Sequence, residues 1–352
     1  MYEFENKIIK DGRVLKEQFI PSRIVHRDGQ LKVIRDNLRP LLKRQQPRSM
    51  FIHGSPGTGK TCISKYVTEE LSAHVSSVLH CYVNCWLYPS TFKILFSILQ
   101  EFGVSMSIHR KGTPTDELFD IFRKRLQDRQ CVIVLDEVDQ LEDDKILYDL
   151  ARMENVGLML ISNDEHALGG VDPRVRSSLA SVDTIHFPPY SFEEIRDILR
   201  DRAEWGLLPG VVAKAQVDWI ARVSSGDARI ALNVLRLAAE AAENKDREGI
   251  SDEHIRAALP KVHVSEKEKA TERLNEHQRM IYGIISQSGE IKPEDLYPEY
   301  EKACKKNGVD PIVDRSVRKC LEKLAQYKLV LAKGEGRWRV YSVGKEAAGE
   351  GS

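Results

Sequence analysis

The residues best suited to chemistry form one short segment, Gly54-Ser55-Pro56-Gly57-Thr58-Gly59-Lys60-Thr61. Its glycines let the backbone curl, so that successive N–H groups and a helix N-terminus face phosphate groups. Lys60 adds a mobile positive charge, and the Thr61 hydroxyl can reach a magnesium ion. The segment therefore predicts a P-loop for ATP or ADP, with the nucleotide held by Gly57, Thr58, Gly59, Lys60, Thr61 and Cys62.

A pair of carboxylates supplies the second part of this chemistry. Asp136 and Glu137 follow the apolar, β-branched run 131–135, which is typical of a buried parallel strand. Carboxylates at the C-terminal edge of such a strand face the active crevice. We expect Asp136, together with Thr61, to hold Mg²⁺ and Glu137 to orient and deprotonate the attacking water.

The elements that must position these residues alternate between strand and helix. Short apolar segments at 50–53, 80–84, 131–136, 158–162 and 184–187 predict the strands of a parallel P-loop sheet. Asn163 follows the fourth strand. It is either a contact of the γ-phosphate or the water, or a turn residue, since asparagine favours turns.

After Pro188-Pro189-Tyr190 the pattern predicts helices alone, starting with the capping box of Ser191 and Glu194. Arg229 lies in the first turn of a later helix, where a cation opposes the helix macrodipole. Either an anion such as a phosphate stabilises Arg229, or it is a solvated surface arginine.

The C-terminal pattern is three helices, at 273–287, 293–307 and 314–327, followed by two short strands around a Gly-x-Gly tip. This order predicts a winged helix. Helix 314–327 can lie in a major groove and the hairpin can reach phosphates or a minor groove. The predicted DNA contacts are Arg315, Ser316, Arg318, Lys319, Lys333, Arg337 and Arg339. The alternative is a winged helix that binds protein.

Charge is unevenly distributed although the net charge is +0. Between residues 301 and 345 there are 12 Lys and Arg against 5 Asp and Glu, a surplus that suits an anionic polymer. No apolar run approaches the roughly 20 residues that span a bilayer, and the N-terminus lacks a signal-peptide pattern. These features predict a cytoplasmic, nucleoid-associated protein with no membrane partner.

The assembled motifs resemble the archaeal origin-recognition and replication-initiator family of AAA+ ATPases, akin to the eukaryotic origin recognition complex and its licensing ATPase. The order of the pieces carries the resemblance: the lead-in 19–28, the P-loop, Leu135-Asp136-Glu137, Ile161-Ser162-Asn163, the segment 172–179, Gly226-Asp227-Ala228-Arg229 and the winged helix. The implied fold is an α/β P-loop AAA+ ATPase, with a parallel sheet and a helical lid, followed by a C-terminal winged-helix domain. The implied domains are 1–188, 189–264 and 265–345.

The resemblance also implies roles for individual residues. Ile24 and Val25 would pack on the adenine, Asn163 would be sensor 1, and Arg229 would be sensor 2, approaching the γ-phosphate from the lid. Tyr190 and Arg202 match nucleotide-contacting positions. The segment near 86–128 resembles a helical insertion that contacts DNA in the family. Arg110 and Lys111 at its tip would either contact DNA or form a charged, solvated turn.

One position departs from the family pattern. Eukaryotic relatives place a trans-acting arginine where this chain has Ser178, and Arg174 or Arg176 could substitute for it. The resemblance implies a weak, switch-like ATPase that binds double-stranded origin DNA, together with other initiator paralogues, and helps to load the replicative MCM helicase. The alternative is a P-loop switch whose winged helix binds protein. A clamp loader is disfavoured, because those ATPases generally lack a winged helix.

Overall fold

The computed structural model describes residues 7–104, 113–127, 129–180, 182–272, 274–327, 329–334 and 339–343. The chain divides into two compact units, Met1–Leu259 and Pro260–Ser352. The first unit contains both the predicted sheet and the helices that follow Tyr190. Within the described residues, no helix combines the length and the apolar character needed to cross a membrane.

A five-stranded parallel sheet forms the centre of the first unit, in the order β2-β3-β4-β1-β5. All five strands were predicted from their apolar runs, and their ends differ by no more than two residues. Their bounds are β1 Met50–His53, β2 Leu79–Asn84, β3 Cys131–Asp136, β4 Val156–Ser162 and β5 Asp183–His186.

Alternate side chains of the central strands enter two separate apolar layers. Ile133 and Leu135 of β3 pack in one cluster, whereas Val132 and Val134 pack in the cluster on the opposite face. Because both faces are covered, β3 and β4 are buried along their whole length, which explains their continuous apolar sequence. The sheet is therefore a rigid support for the polar residues at its C-terminal edge.

The described α-helices of this unit fall into a group that belongs to the sheet and a group that follows Tyr190. The first group is α1 Asp28–Leu38, α2 Lys60–His74, α3 Thr91–Glu101, α4 Thr115–Leu126, α5 Lys145–Ala151 and α6 Pro173–Ser178. The second group is α7 Phe192–Gly206, α8 Lys214–Val223, α9 Ala228–Asn244 and the start of α10 Asp252–Glu272. The predicted capping box at the start of α7 is confirmed, since the Glu194 N–H donates to Ser191 Oγ and the Ser191 N–H donates to Glu194 Oε2.

The second unit combines helices α11 to α13 with a three-stranded antiparallel sheet in the order β6-β8-β7. The elements are α11 Glu276–Ser288, β6 Glu290–Ile291, α12 Pro293–Asn307, α13 Asp314–Gln326, β7 Val330–Lys333 and β8 Val340–Val343. The predicted hairpin is present, although its tip at 335–338 lies outside the described residues. The predicted start of the first helix at 273 was too early, because Asn275 caps the helix by accepting from the Gln278 N–H.

Candidate nucleotide site and DNA-binding surface

The P-loop joins the end of β1 to the start of α2. Gly54, Gly57 and Gly59 have φ angles of 149°, 75° and 91°, a region that side chains with a Cβ rarely enter. Gly59 is the N-cap of α2, which begins at Lys60. The Thr58 hydroxyl donates to the Ser55 carbonyl at 2.8 Å and fixes the loop internally. The loop therefore brings the N-terminus of α2 to the C-terminal edge of the sheet.

Lys60 lies among oxygen atoms at this edge. Its Nζ donates to the carbonyls of Gly54 and Ser55 at 2.7 and 2.9 Å, and to Asn163 Oδ1 at 2.9 Å. Only 7% of Lys60 is exposed, and this burial lowers its pKa to about 8, although the negative charge of Asp136 opposes the shift. The structure thus brings together Lys60 and Asn163, two residues that were predicted from separate motifs.

Asp136 forms the second contact across the crevice. Its Oδ2 accepts hydrogen bonds from Thr61 Oγ1 at 2.6 Å and from the Tyr82 hydroxyl at 2.8 Å. Paired hydroxyl and carboxylate oxygens are the ligands that Mg²⁺ prefers, so Thr61 and Asp136 fit the predicted metal role. Tyr82, whose pKa is raised by burial and by Asp136, is a residue of the site that no sequence motif indicated.

Glu137 follows Asp136 with a left-handed backbone, at φ 58°. A left-handed conformation is uncommon for a residue with a side chain, and such residues cluster at functional sites. Glu137 is the N-cap residue of the short 3-10 turn Val138–Gln140. The Ser162 hydroxyl donates to Asp139 Oδ1 at 2.9 Å, and this bond ties the turn to the end of β4.

The lid contacts the P-loop through Asp227 and Ala228. The Ala228 N–H donates to the Gly57 carbonyl at 3.1 Å. The Asp227 carboxylate caps α9 by accepting from the Arg229 N–H at 2.9 Å, and it forms an ion pair with the Arg229 guanidinium at 3.1 Å. A carboxylate therefore supplies the anion that the position of Arg229 led us to expect. Asp227 itself was not predicted as a site residue.

Tyr190 lies between the P-loop and the lid. Its N–H donates to the Gly226 carbonyl at 3.2 Å, and a Cβ built on Gly59 would lie 2.5 Å from its hydroxyl. The Arg27 guanidinium lies 3.9 Å from the centre of the Tyr190 ring and donates to the Pro188 carbonyl. Arg27 is therefore a further residue of the junction, which the pattern around it did not indicate.

Arg202 fixes the N-terminal lead-in to the lid. It is buried, and its guanidinium donates to the carbonyls of Val14 and Phe19 and lies 4.8 Å from the centre of the Phe19 ring. His26 Nε2 and Asp197 Oδ2 lie 3.2 Å apart and add a second link between the lead-in and the lid.

The other predicted nucleotide contacts lie near this junction. Ile24 and Val25 of the lead-in are half-buried, and Ile24 packs against the core between α1, α2 and the sheet. Cys62, in the first turn of α2, has a pKa raised by burial.

The predicted DNA-binding residues of the second unit lie on α13 and on the hairpin. Arg315, Arg318 and Lys319 are exposed and Ser316 is half-buried, whereas Val317, Leu321 and Leu324 of the same helix are buried as predicted. Lys333 and Arg339 are exposed on the hairpin. Arg110, Lys111 and Arg337 lie outside the described residues.

The two candidate trans-acting arginines differ in their contacts. The Arg176 guanidinium donates to the carbonyls of Gly169 and Val171, just before α6. The Arg174 backbone N–H donates to Asp172 Oδ1 at 2.8 Å, and both arginines are exposed.

The parallel sheet with a P-loop, the acidic strand end and the helical lid define a AAA+ ATPase. Residues 43–168 match the AAA domain family, and residues 196–259 match the Cdc6 AAA+ ATPase-type lid domain family. The chain belongs to the family of archaeal ORC1-type DNA replication proteins, as its similarity to a curated relative shows. ORC1-type DNA replication protein 9 of Halobacterium salinarum is 38% identical over 342 residues, covering 96% of this chain and 94% of the relative.

Solved structures show the same relationship. Aeropyrum pernix Orc1, solved in complex with DNA, is 28% identical with a TM-score of 0.74, covering 96% of this chain and 94% of that one. Aeropyrum pernix Orc2, solved with ADPNP and ADP, is 25% identical with a TM-score of 0.65, covering 96% and 94%.

Proposed function

We propose that this protein is an ATP-regulated origin-binding protein that initiates DNA replication. The observation that carries the nucleotide part is the convergence of Lys60, Asn163, Thr61 and Asp136 at one sheet edge. The lid residue Asp227, which holds Arg229, packs against the same P-loop. The basic face of α13 carries the DNA part.

In the proposed site, the P-loop amides and Lys60 bind the phosphates, while Ile24, Val25, Tyr190 and Arg202 surround or support the base. Thr61 and Asp136 would hold Mg²⁺, which neutralises phosphate charge when it is bound. Glu137 orients the attacking water and accepts its proton. Asn163 and Arg229 contact the terminal phosphate as negative charge develops there. Hydrolysis is slow and acts as a switch between two binding states.

The proposed DNA contacts are of two kinds. Arg315, Ser316, Arg318 and Lys319 enter the major groove on α13 and meet base edges, whereas Lys333, Arg337 and Arg339 of the hairpin contact phosphates or the minor groove. Arg110 and Lys111 add contacts from the insertion. The relative solved in complex with DNA supports DNA as the ligand.

The proposed later step is recruitment or loading of the replicative MCM helicase by the DNA-bound protein, together with other initiator paralogues. Arg174 is the better candidate for acting on a neighbouring copy, because the Arg176 guanidinium already donates to the Gly169 and Val171 carbonyls. A pull-down of MCM by the protein on origin duplex, with ATP and with ADP, tests this step.

The second candidate, a regulatory switch whose winged helix binds protein, predicts a different salt response. Displacing counterions from phosphates makes DNA affinity fall steeply with salt. Footprinting on genomic origin DNA, combined with affinity at several salt concentrations, tests the proposal. A discrete footprint with a steep salt dependence supports it, whereas weak, salt-insensitive binding favours the protein-binding switch.

A further inference from the structure

Asp227 has an unusual position for a helix cap, because its carboxylate packs directly on the P-loop. A Cβ built on Gly57 would lie 1.8 Å from Asp227 Oδ1. The Asp227 side chain is only 7% exposed, whereas the Arg229 side chain is 33% exposed. A negative charge, little screened by solvent, therefore lies against a loop that is built to bind phosphates.

The same carboxylate holds the Arg229 guanidinium. Arg229 Nε donates to Asp227 Oδ1 at 3.4 Å, and Arg229 Nη2 donates to Oδ2 at 3.1 Å. The charges of both residues act on Lys60: Arg229 lowers the Lys60 pKa and Asp227 raises it. Asp227, Arg229 and Lys60 thus form one electrostatic group that includes both lid and P-loop.

We propose that Asp227 is a positioning residue that competes with the terminal phosphate of ATP for the Arg229 guanidinium. The inference rests on the proposed nucleotide function of this site. The Asp227 carboxylate occupies the Nε and Nη2 donors of the Arg229 guanidinium, and these two N–H groups form a planar fork that suits a carboxylate or a phosphate. A terminal phosphate that binds through the same fork must displace Asp227. ADP lacks the terminal phosphate and does not compete in this way. Asp227 therefore sets how strongly the lid distinguishes ATP from ADP.

The substitution Asp227→Asn removes the negative charge but keeps a side chain that can cap α9. Asparagine caps helices about as well as aspartate and can accept from the Arg229 and Ile230 N–H groups that Asp227 now binds. The neutral amide no longer holds the guanidinium as an ion pair. We expect the affinity for ATP, relative to ADP, to rise about two- to fivefold, the range of a partly exposed ion pair.

The test is isothermal titration calorimetry of the full chain with ATP and with ADP in Mg²⁺. The variants are wild type, Asp227→Asn, Arg229→Ala and the double variant. Asp172→Asn is the matched control, since Asp172 caps α6 by accepting from the Arg174 N–H and has no such contact with the P-loop among its described contacts. Thermal unfolding without nucleotide checks each fold, and Asp227→Ser, another good cap, replaces Asp227→Asn if that variant does not fold.

The expected result is a higher ATP-to-ADP affinity ratio in Asp227→Asn, no rise in the Arg229→Ala background, and no change in Asp172→Asn. An unchanged or lower ratio in Asp227→Asn would overturn the inference. An equal rise with and without Arg229 would also overturn it, since Asp227 would then simply repel phosphates. If the wild type binds no ATP, the proposed function fails; if it binds ATP but the ratio does not respond, only this inference fails.

Discussion

Lys60 is held by three oxygen atoms, and each comes from a different motif position: the first P-loop glycine, Ser55, and Asn163 at the end of β4. This network aligns the amine at the sheet edge beside Asp136 and Glu137. At the residue scale, the site is therefore a set of charges fixed by backbone and amide oxygens.

The first prediction separates nucleotide binding from hydrolysis. Lys60→Ala should abolish ATP binding, because the buried positive charge is lost from the phosphate cradle. Glu137→Gln should bind ATP normally and lose hydrolysis by about 10²–10⁴-fold, since only the group that deprotonates the water has changed. Equilibrium binding and phosphate release measure the two effects. ATPase rates equal to wild type in both variants would contradict the assignment.

The second prediction concerns the pKa of Lys60, which burial lowers from 10.5 to about 8. Between these values the unfolded chain binds a proton that the folded protein does not, so stability should rise with pH. The variant Lys60→Met is the reference, because methionine has no group that gains or loses a proton. The free energy of unfolding of the wild type, relative to Lys60→Met, should therefore increase by up to about 3 kcal/mol from pH 7.5 to 10.5 without nucleotide. Chemical denaturation at several pH values measures it, and a difference independent of pH would contradict it.

At the scale of elements, the strands were predictable because each buried strand of a parallel sheet must be apolar on both faces. The end of β3 likewise indicated Asp136 and Glu137. In contrast, β6 has only two residues, too short for any periodicity to show. The contacts of Asp136 with Tyr82 and of Gly57 with Asp227 join segments far apart in the chain, so no local pattern could indicate them. Arg202 was predicted as a nucleotide contact, but the sequence could not show that its guanidinium donates to the Val14 and Phe19 carbonyls.

The third prediction tests whether the lid packs on the P-loop at Gly57. Gly57→Ala places a Cβ against Asp227 and should displace the segment 226–232, so that its amides exchange hydrogen faster. Gly103→Ala is the matched control, because Gly103 also has a φ of 75° but nothing lies within 4 Å of a Cβ built on it. Both variants lose about 1 kcal/mol through backbone strain. Equal exchange in the segment 226–232 of the two variants would contradict the proposed contact.

The fourth prediction distinguishes the two kinds of DNA contact. Arg315→Ala or Arg318→Ala on α13 should cost about 1–3 kcal/mol where the side chain meets a guanine, and should relax sequence preference. Lys333→Ala on the hairpin should weaken binding to all duplexes nearly equally and reduce the salt slope by about one. Fluorescence anisotropy with origin and shuffled duplexes measures both effects. The same loss of sequence preference in all three variants would contradict the division of roles.

At the scale of the whole molecule, nucleotide chemistry belongs to the unit Met1–Leu259 and the basic helix to the unit Pro260–Ser352. The full chain has equal numbers of basic and acidic residues, although the segment 301–345 is basic. The central claim is that one chain combines a nucleotide switch with recognition of duplex DNA.

The most direct test is the affinity of the full chain for origin duplex, measured against salt concentration with ATP and with ADP. We predict a steep, linear fall of the logarithm of affinity with the logarithm of salt, an affinity that differs between the two nucleotides, and weaker binding to a shuffled duplex. A shallow salt dependence, with equal affinity for both duplexes and both nucleotides, would contradict the account.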